Sequence, residues 1–163
     1  MPVFSPLSEN MVSNNESFST TKAFISIAVL SAYMTIIAGM GGNAATQALA
    51  VTVRRISLND LTDNQAYRAV LKEFTVGLIN GAVTGLIVFG IAFFFDANPM
   101  LGLVIFLAMT GNLVIAGITG SGIPLILKRV GIDPAIASSI IITTFTDVFG
   151  FLLLLGLASK LLL

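Results

Sequence analysis

The sequence predicts an all-α, polytopic helical membrane protein with four transmembrane spans. Hydrophobic residues make up 56% of the 163 residues and charged residues only 10%, and the mean hydropathy is +0.99. Four apolar stretches are each long enough to cross a hydrocarbon core of ~30 Å. They cover residues 23–53, 74–95, 100–127 and 134–161.

Residues 22–163 are expected to form a single transmembrane domain. Residues 1–21, which precede it, are rich in Ser and Asn. They lack the basic start and apolar core of a signal peptide. We therefore predict that 1–21 is a flexible polar arm.

The residue types that are missing exclude several function classes. The sequence has no Cys and no His, which removes disulfides, Cys/His metal sites and triad-type catalysis. No nucleophile–base set is visible, so we expect no enzyme. With 8 basic and 8 acidic residues, the net charge of zero gives no sign of nucleic acid or an acidic membrane surface as a partner.

The first span is longer than a membrane requires. As a continuous helix, residues 23–53 would rise roughly 46 Å, against a hydrocarbon core of ~30 Å. The excess length and the glycines at 39, 41 and 42 predict a break or bend part-way along this span. Asn43 and Gln47 lie at this break, where their amides could satisfy freed backbone groups.

Glycines also mark the second and third spans. Gly77, Gly81 and Gly85 lie on one face of the second span and allow another backbone to approach closely. The third span is interrupted by Gly111, Gly117, Gly120, Gly122 and Pro124.

The fourth span has the clearest boundaries. Asp133 is the predicted N-cap, and Pro134 occupies the first helical position. Gly131 is a suitable C-terminal stop for the helix before it.

The distribution of basic residues orients the bundle. Six of the eight lie in two connections, Arg54, Arg55, Arg68 and Lys72 in 54–73, and Lys128 and Arg129 in 128–133. The opposite loop, 96–99, has none. By the positive-inside rule we expect 54–73 and 128–133 to be cytoplasmic, in an inner (plasma) membrane, with both termini outside.

Asp147 is the most informative residue of the chain. It is the only formal charge between Ile136 and Ser159. A carboxylate at such depth costs about 2.5–3.5 kcal/mol on insertion scales. The alternative interpretation is a buried acid that is neutral or paired, but no basic residue lies within the apolar part of any span. An ion or proton pathway is therefore the favoured interpretation.

Two stripes of small and polar residues accompany this acid. At four-residue spacing they are Ser139, Thr143 and Asp147 in the last span, and Gly42, Thr46 and Ala50 in the first. Such residues also serve as packing contacts between helices, and this alternative stays open for Thr46 and Ser139.

Three further polar residues lie in or near the spans. Asn80 and Asn112 are expected to be interhelical hydrogen-bond partners. Glu73 is expected at an interface, in a surface role or a salt bridge, with an ion site at the rim as the alternative.

Four motifs, in this order and separation, carry a resemblance to a known family. They are Gly39-Met40-Gly41-Gly42-Asn43-Ala44-Ala45-Thr46-Gln47; Lys72-Glu73-Phe74 with Gly77, Asn80 and Gly81; Lys128-Arg129 with Gly131-Ile132-Asp133-Pro134-Ala135; and Thr143-Thr144-Phe145-Thr146-Asp147-Val148-Phe149-Gly150. Together they resemble the second, third and fifth membrane helices of the MgtE magnesium channels, including the turn before the fifth.

The resemblance implies a homodimer with one pore on its twofold axis, lined by the first and last spans. It implies that Mg²⁺ is the transported ion, not a catalytic cofactor, and that Asp147 and the carbonyls of Gly42 and Thr143 bind it. The other implied pore-lining residues are Asn43, Thr46, Ala50 and Ser139. Family channels have five membrane helices and a cytoplasmic sensing region. We expect the first helix and that region to be missing here.

The leading hypothesis is passive conduction of hydrated Mg²⁺ between two copies of Asp147, whose mutual repulsion one divalent cation relieves. One alternative is a proton-coupled divalent cation exchanger, in which Asp147 alternates between proton and metal. The other is a non-conducting membrane assembly subunit whose glycine faces merely pack helices.

Overall fold

A computed structural model describes residues 6–58, 63–96 and 99–162, with the backbone alone for 6–27, 63, 95–96 and 136–138. Its helices are α1 (Pro6–Ser57), α2 (Asp63–Asp96), α3 (Pro99–Val130) and α4 (Pro134–Leu161). No strand occurs within these described ranges. Each helix contains a segment long and apolar enough to cross a membrane, which confirms the all-α class with four spans.

The chain divides into two compact units, Met1–Tyr33 and Met34–Leu163. The first holds the N-terminal part of α1, and the second holds the rest of α1 together with α2, α3 and α4. A flexible polar arm is predicted over 1–21, whereas the backbone is helical from Pro6 onward. Proline suits the first turn of a helix, and no other Pro or Gly occurs before Gly39 to end it. All packing described below lies within Met34–Leu163.

In this second unit α1 is a continuous helix, so the predicted break at Gly39, Gly41 and Gly42 is wrong. Gly41 is buried, and a Cβ there would meet the side-chain amide of Asn112 on α3. The missing side chain therefore makes room for a neighbouring helix, while the backbone of α1 stays helical.

Two other predictions change with this continuity. Asn43 and Gln47 have exposed side chains on an unbroken helix, so there are no freed backbone groups for them to satisfy. The predicted interruption of α3 is also wrong, because the helix continues through its glycines and through Pro124. Close by, the buried hydroxyl of Ser121 donates a 2.7 Å hydrogen bond to the carbonyl oxygen of Gly117.

Glycines bring α2 and α3 into close contact, as their four-residue spacing predicts. A Cβ on Gly77 would lie 2.5 Å from the carbonyl oxygen of Leu113, and one on Gly81 would lie 2.8 Å from the Cα of Thr110. Gly85 meets the next turn of α3 in the same way. Residue numbers rise along α2 as they fall along α3, so the two helices are antiparallel.

The predicted boundaries between α3 and α4 are confirmed. Gly131 has a φ of 80°, and its N–H donates to the carbonyl oxygen of Lys128 at 3.2 Å. A second bond, from the N–H of the next residue to the carbonyl of Leu127, completes a Schellman C-cap. The Asp133 side chain then accepts from the N–H of Ala135 at 2.9 Å, as an N-cap does.

The long connection predicted over 54–73 is wrong. Helix α1 continues to Ser57 and α2 begins at Asp63, so Arg68 and Lys72 lie on the first turns of α2. Basic side chains end an apolar stretch without ending a helix, because they can stay at the membrane surface while the backbone continues. Both residues are exposed.

Candidate functional site

Helix α1 has a buried face and an outward polar face. The buried residues in the second unit are Ile37, Gly41, Ala45, Ala48 and Thr52. The exposed residues around the predicted site are Asn43, Thr46, Gln47 and Ala50, and Gly42 is half-buried. Amide and hydroxyl groups are costly against lipid hydrocarbon, so this outward face suits water or a second protein surface.

The Thr46 hydroxyl is bound to its own helix. Its Oγ1 is 3.0 Å from the carbonyl oxygen of Gly42 and 2.9 Å from that of Asn43, both of which can accept its single proton. Because the proton is used within the helix, the hydroxyl oxygen keeps its capacity as an acceptor. The Gly42 carbonyl, a predicted ion ligand, already accepts a hydrogen bond in this conformation.

Helix α4 places Asp147 beside its buried face. The inward residues of this region are Ile142, Thr146, Gly150 and Leu154. Thr143 and Asp147 are half-buried, and Ser139 is exposed. The carboxylate therefore lies at the edge of the packed core of this unit.

Thr146, for which the sequence predicted no separate role, is fully buried. Its hydroxyl donates to the carbonyl oxygen of Thr143 at 2.9 Å. Both carbonyls predicted to bind an ion, those of Gly42 and Thr143, thus accept a threonine hydroxyl from their own helix. The three-residue spacing from Thr143 to Thr146 was the available signal, since hydroxyls reach back to carbonyls at that distance.

Two contact points bracket the predicted site. At the first, Ala45 of α1, Ala116 of α3 and Ile142 of α4 form one buried cluster. At the second, Asn112 of α3 reaches both α1 and α4: its Nδ2 donates to the carbonyl oxygen of Ile37 at 2.8 Å. The predicted interhelical role of Asn112 is therefore confirmed.

Glycines of α1 and α4 flank the amide of Asn112. A Cβ on Gly41 would meet Nδ2, and one on Gly150 would lie 3.0 Å from it. Along α1, Gly42 lies between Gly41 and Ala45, which belongs to the first contact point. Along α4, Asp147 lies between Gly150 and Ile142, which belongs to the same contact point. The structure thus brings Gly42 and Asp147 to the same level of the bundle.

The other predicted residues lie around this level. Thr46 and Thr143 directly follow the two clustered residues Ala45 and Ile142. Ser139 is one helical turn before Thr143, and Ala50 is one turn beyond Thr46, so both stripes extend from the same contact point. Because α1 and α4 are antiparallel, both stripes extend from that point in the same direction along the bundle.

Asn80 and Glu73 lie elsewhere, on a groove of about 260 Å³ between α1, α2 and α3. Gln47 and Lys72 contribute the other polar groups of its wall. Asn80 is exposed, and Glu73 is half-buried at the point where its backbone meets Gly117. The predicted position of Glu73 at the membrane interface, in a surface role or a salt bridge, stays a prediction.

The predicted ion ligands around Gly42 and Asp147 are oxygen atoms. Among the described residues no group of three or more His, Cys, Asp or Glu side chains could hold a metal. What the chain offers is one carboxylate with threonine hydroxyls and main-chain carbonyls. These are oxygen groups, the type that Mg²⁺ prefers.

The four apolar helices define a class, a multi-pass helical membrane protein. One acidic residue, Asp147, lies inside the apolar segment of its last helix. A sequence model of the MgtE family, described as a divalent cation transporter, matches residues 34–157. The chain belongs to the MgtE family, which confirms the resemblance carried by its motifs.

Relatives in three bacteria are each named magnesium transporter MgtE. The protein of Enterococcus faecalis is 37% identical over 150 residues, 92% of this chain and 32% of the relative. That of Bacillus subtilis is 32% identical over 82% of this chain and 30% of the relative. That of Thermus thermophilus is 31% identical over 83% of this chain and 30% of the relative. The chain therefore spans about a third of the length of these relatives.

Proposed function

We propose that this chain is the membrane domain of a divalent cation transporter and conducts hydrated Mg²⁺ through a pore on a homodimer axis. The observation that carries the proposal is Asp147, a half-buried acidic residue inside the apolar segment of α4. The MgtE family is described as a divalent cation transporter, which supports a divalent cation as cargo.

The oxygen groups suit an ion that passes with its waters. Mg²⁺ sheds water reluctantly, so a pore that accepts hydrogen bonds from the bound waters avoids the cost of dehydration. Thr46 has its proton turned to α1 carbonyls and can accept from such waters. The carbonyls of Gly42 and Thr143 can also accept hydrogen bonds from these waters once the hydroxyls of Thr46 and Thr146 rotate away. Asn43, Ala50 and Ser139 are the further pore-lining residues of this proposal.

A second copy completes the site. One chain supplies a single carboxylate here, and the polar outward face of α1 needs a partner other than lipid. A twofold axis beside α1 and α4 would bring two Asp147 side chains together. Two like charges in a medium of low dielectric constant repel, and one divalent cation offsets both.

The proposed orientation follows the basic residues. Six of the eight Lys and Arg residues lie in three places: the end of α1, the start of α2 and the end of α3. Those ends face the cytoplasm in this proposal, and the protein lies in the plasma (inner) membrane.

Flux of Mg²⁺ into liposomes that contain the full chain tests the proposal. Asp147→Asn should reduce the flux at least tenfold, since it removes the charge that attracts the cation. Asp133→Asn is the matched control: it removes the same charge elsewhere, and Asn caps a helix about as well as Asp. Its flux should equal that of the unmodified chain. Equal flux for Asp147→Asn would refute the role of this carboxylate.

The same liposomes separate the alternatives. A proton-coupled exchanger would make Mg²⁺ flux follow an imposed pH gradient, whereas a passive pore would leave it unchanged. A non-conducting assembly subunit would pass no Mg²⁺ in any variant. Crosslinking of single cysteines at Ala50 tests the dimer, because a pore-lining position near the axis should form a disulfide with its copy.

A further inference from the structure

A basic groove of about 560 Å³ lies between α1 and α2, away from the proposed ion site. Its charged and amide side chains are Arg55 of α1 and Gln65, Arg68, Lys72 and Glu73 of α2. Arg68 and Lys72 are exposed, and Arg55 and Glu73 are half-buried. Among the described residues that line the groove, three carry a positive charge and one carries a negative charge.

Helical spacing explains why these groups converge. Gln65, Arg68 and Lys72 follow one another at intervals of three and four residues, so they share one face of α2. That face lies opposite the last turns of α1, where Arg55 is found. The convergence is a property of the folded helix pair, because Arg55 is more than ten residues from Arg68 in the chain.

This cluster fits a phosphate group. Guanidinium groups donate two parallel hydrogen bonds to phosphate oxygens, and lysine adds a point charge. Glu73, whose backbone carbonyl contacts Gly117, is the one acidic residue among the described lining residues. Its carboxylate would repel an anion and favour binding beside the three cationic groups.

The position of the groove fits a lipid rather than a soluble anion. It lies at the end of α1 and the beginning of α2, where both membrane-length helices carry basic residues. This is the depth of phospholipid head groups. It shares Val51, Lys72 and Glu73 with the second groove, which continues along α1 and α2 toward Leu113. Exposed Leu71 and Val51 beside it are apolar surface for an acyl chain.

We propose that this groove binds the phosphate of an anionic phospholipid, such as phosphatidylglycerol, in the leaflet at the basic end of the helices. Basic pockets between transmembrane helices are suited to such head groups. The inference is independent of the proposed ion path, and it uses the proposed orientation only to assign the leaflet to the cytoplasmic side.

Native mass spectrometry of the delipidated full chain tests the proposal. The protein in detergent is titrated with phosphatidylglycerol or with phosphatidylcholine of the same acyl chains. Arg68→Gln/Lys72→Gln removes two charges of the groove. The matched control, Arg54→Gln/Lys128→Gln, removes two charges at the same end of the bundle but outside the groove.

The unmodified chain and the control should bind phosphatidylglycerol more tightly than phosphatidylcholine. The groove variant should bind phosphatidylglycerol about 30-fold more weakly, since each basic residue near an anionic membrane surface contributes about 1 kcal/mol. Equal binding of the two lipids, or an equal loss in both double variants, would overturn the proposal. If the groove variant does not elute as a folded species, Arg68→Gln alone takes its place with a loss of about fivefold.

Competition separates the sources of the anion. Inorganic phosphate and a polyglutamate peptide are each added at millimolar concentration to the lipid complex. Retention of phosphatidylglycerol supports a lipid site. Its complete displacement by phosphate would assign the groove to a soluble anion, and its displacement by the peptide would assign it to an acidic protein segment. Either result would overturn the lipid assignment.

Discussion

The interface of α2 with α3 and the outward face of α1 both contain many small residues, but these residues serve different purposes in the two regions. Small residues at the interface let two backbones touch, because a Cβ on Gly77 or Gly81 would meet backbone atoms of α3. On the outward face of α1 the small residues alternate with exposed amides and hydroxyls. Small residues in a membrane helix therefore indicate packing or a polar surface, and their neighbours decide which.

This difference predicts that substitutions in the two regions affect different properties. Changes at the interface should lower stability, and changes on the outward face should alter transport while stability stays the same. The following variants test this separation, from the largest expected effect on stability to the smallest.

Gly117→Ala should be the most destabilising of these variants. Its Cβ would meet the carbonyl oxygen of Glu73, a backbone atom that cannot move without shifting α2. Overpacking of this kind typically costs about 1–3 kcal/mol. Gly122→Ala on the same helix is the control, since a Cβ there meets nothing within 4 Å. Thermal unfolding in detergent should show a lower midpoint for Gly117→Ala alone.

Asn112→Leu should have an intermediate effect. Leucine has a similar shape but cannot donate to the carbonyl oxygen of Ile37. Interhelical hydrogen bonds in membranes are worth about 0.6 kcal/mol on average and at most about 1.7. The loss should be partly offset, because leucine also removes Oδ1, which is buried and has no hydrogen-bond partner among the described residues. An unfolding midpoint below that of Gly117→Ala would contradict this order.

Thr46→Val should have the smallest effect on stability. Its hydroxyl is exposed and bonds only to carbonyls of its own helix, so the free energy of unfolding should change by less than about 0.5 kcal/mol. Mg²⁺ flux in liposomes should nevertheless fall several-fold, because valine offers no oxygen to bound water. Unchanged flux would mean that this face of α1 takes no part in conduction.

The four helices and the turn between α3 and α4 could be predicted from the sequence, and the turn follows from local rules. Asp133 and Gly131 act within one helical turn, so their capping roles depend on few neighbours. The glycine spacing of α2 specified a close contact but not its partner. Only the family resemblance joined Gly42 and Asp147 in one predicted site, because their common level depends on how Asn112 joins α1 to α4.

Two errors have a common cause. The predicted break at Gly41 rests on the helix alone, but whether a glycine bends a helix depends on what packs against it, here the amide of Asn112. The predicted connection over 54–73 rests on charge alone. The basic groove could not be predicted from the net charge of the whole sequence, which is zero. Arg55 and Arg68 come together only once both helices extend past the apolar segment.

The short turn between α3 and α4 limits how this bundle can move. Only residues 131–133 separate the two helices, and hydrogen bonds fix both sides of that turn. A slide of α4 past α3 by one helical turn, about 5.4 Å, would have to undo both caps. The glycine contacts similarly hold α2 on α3. We therefore expect α2, α3 and α4 to move as one rigid body.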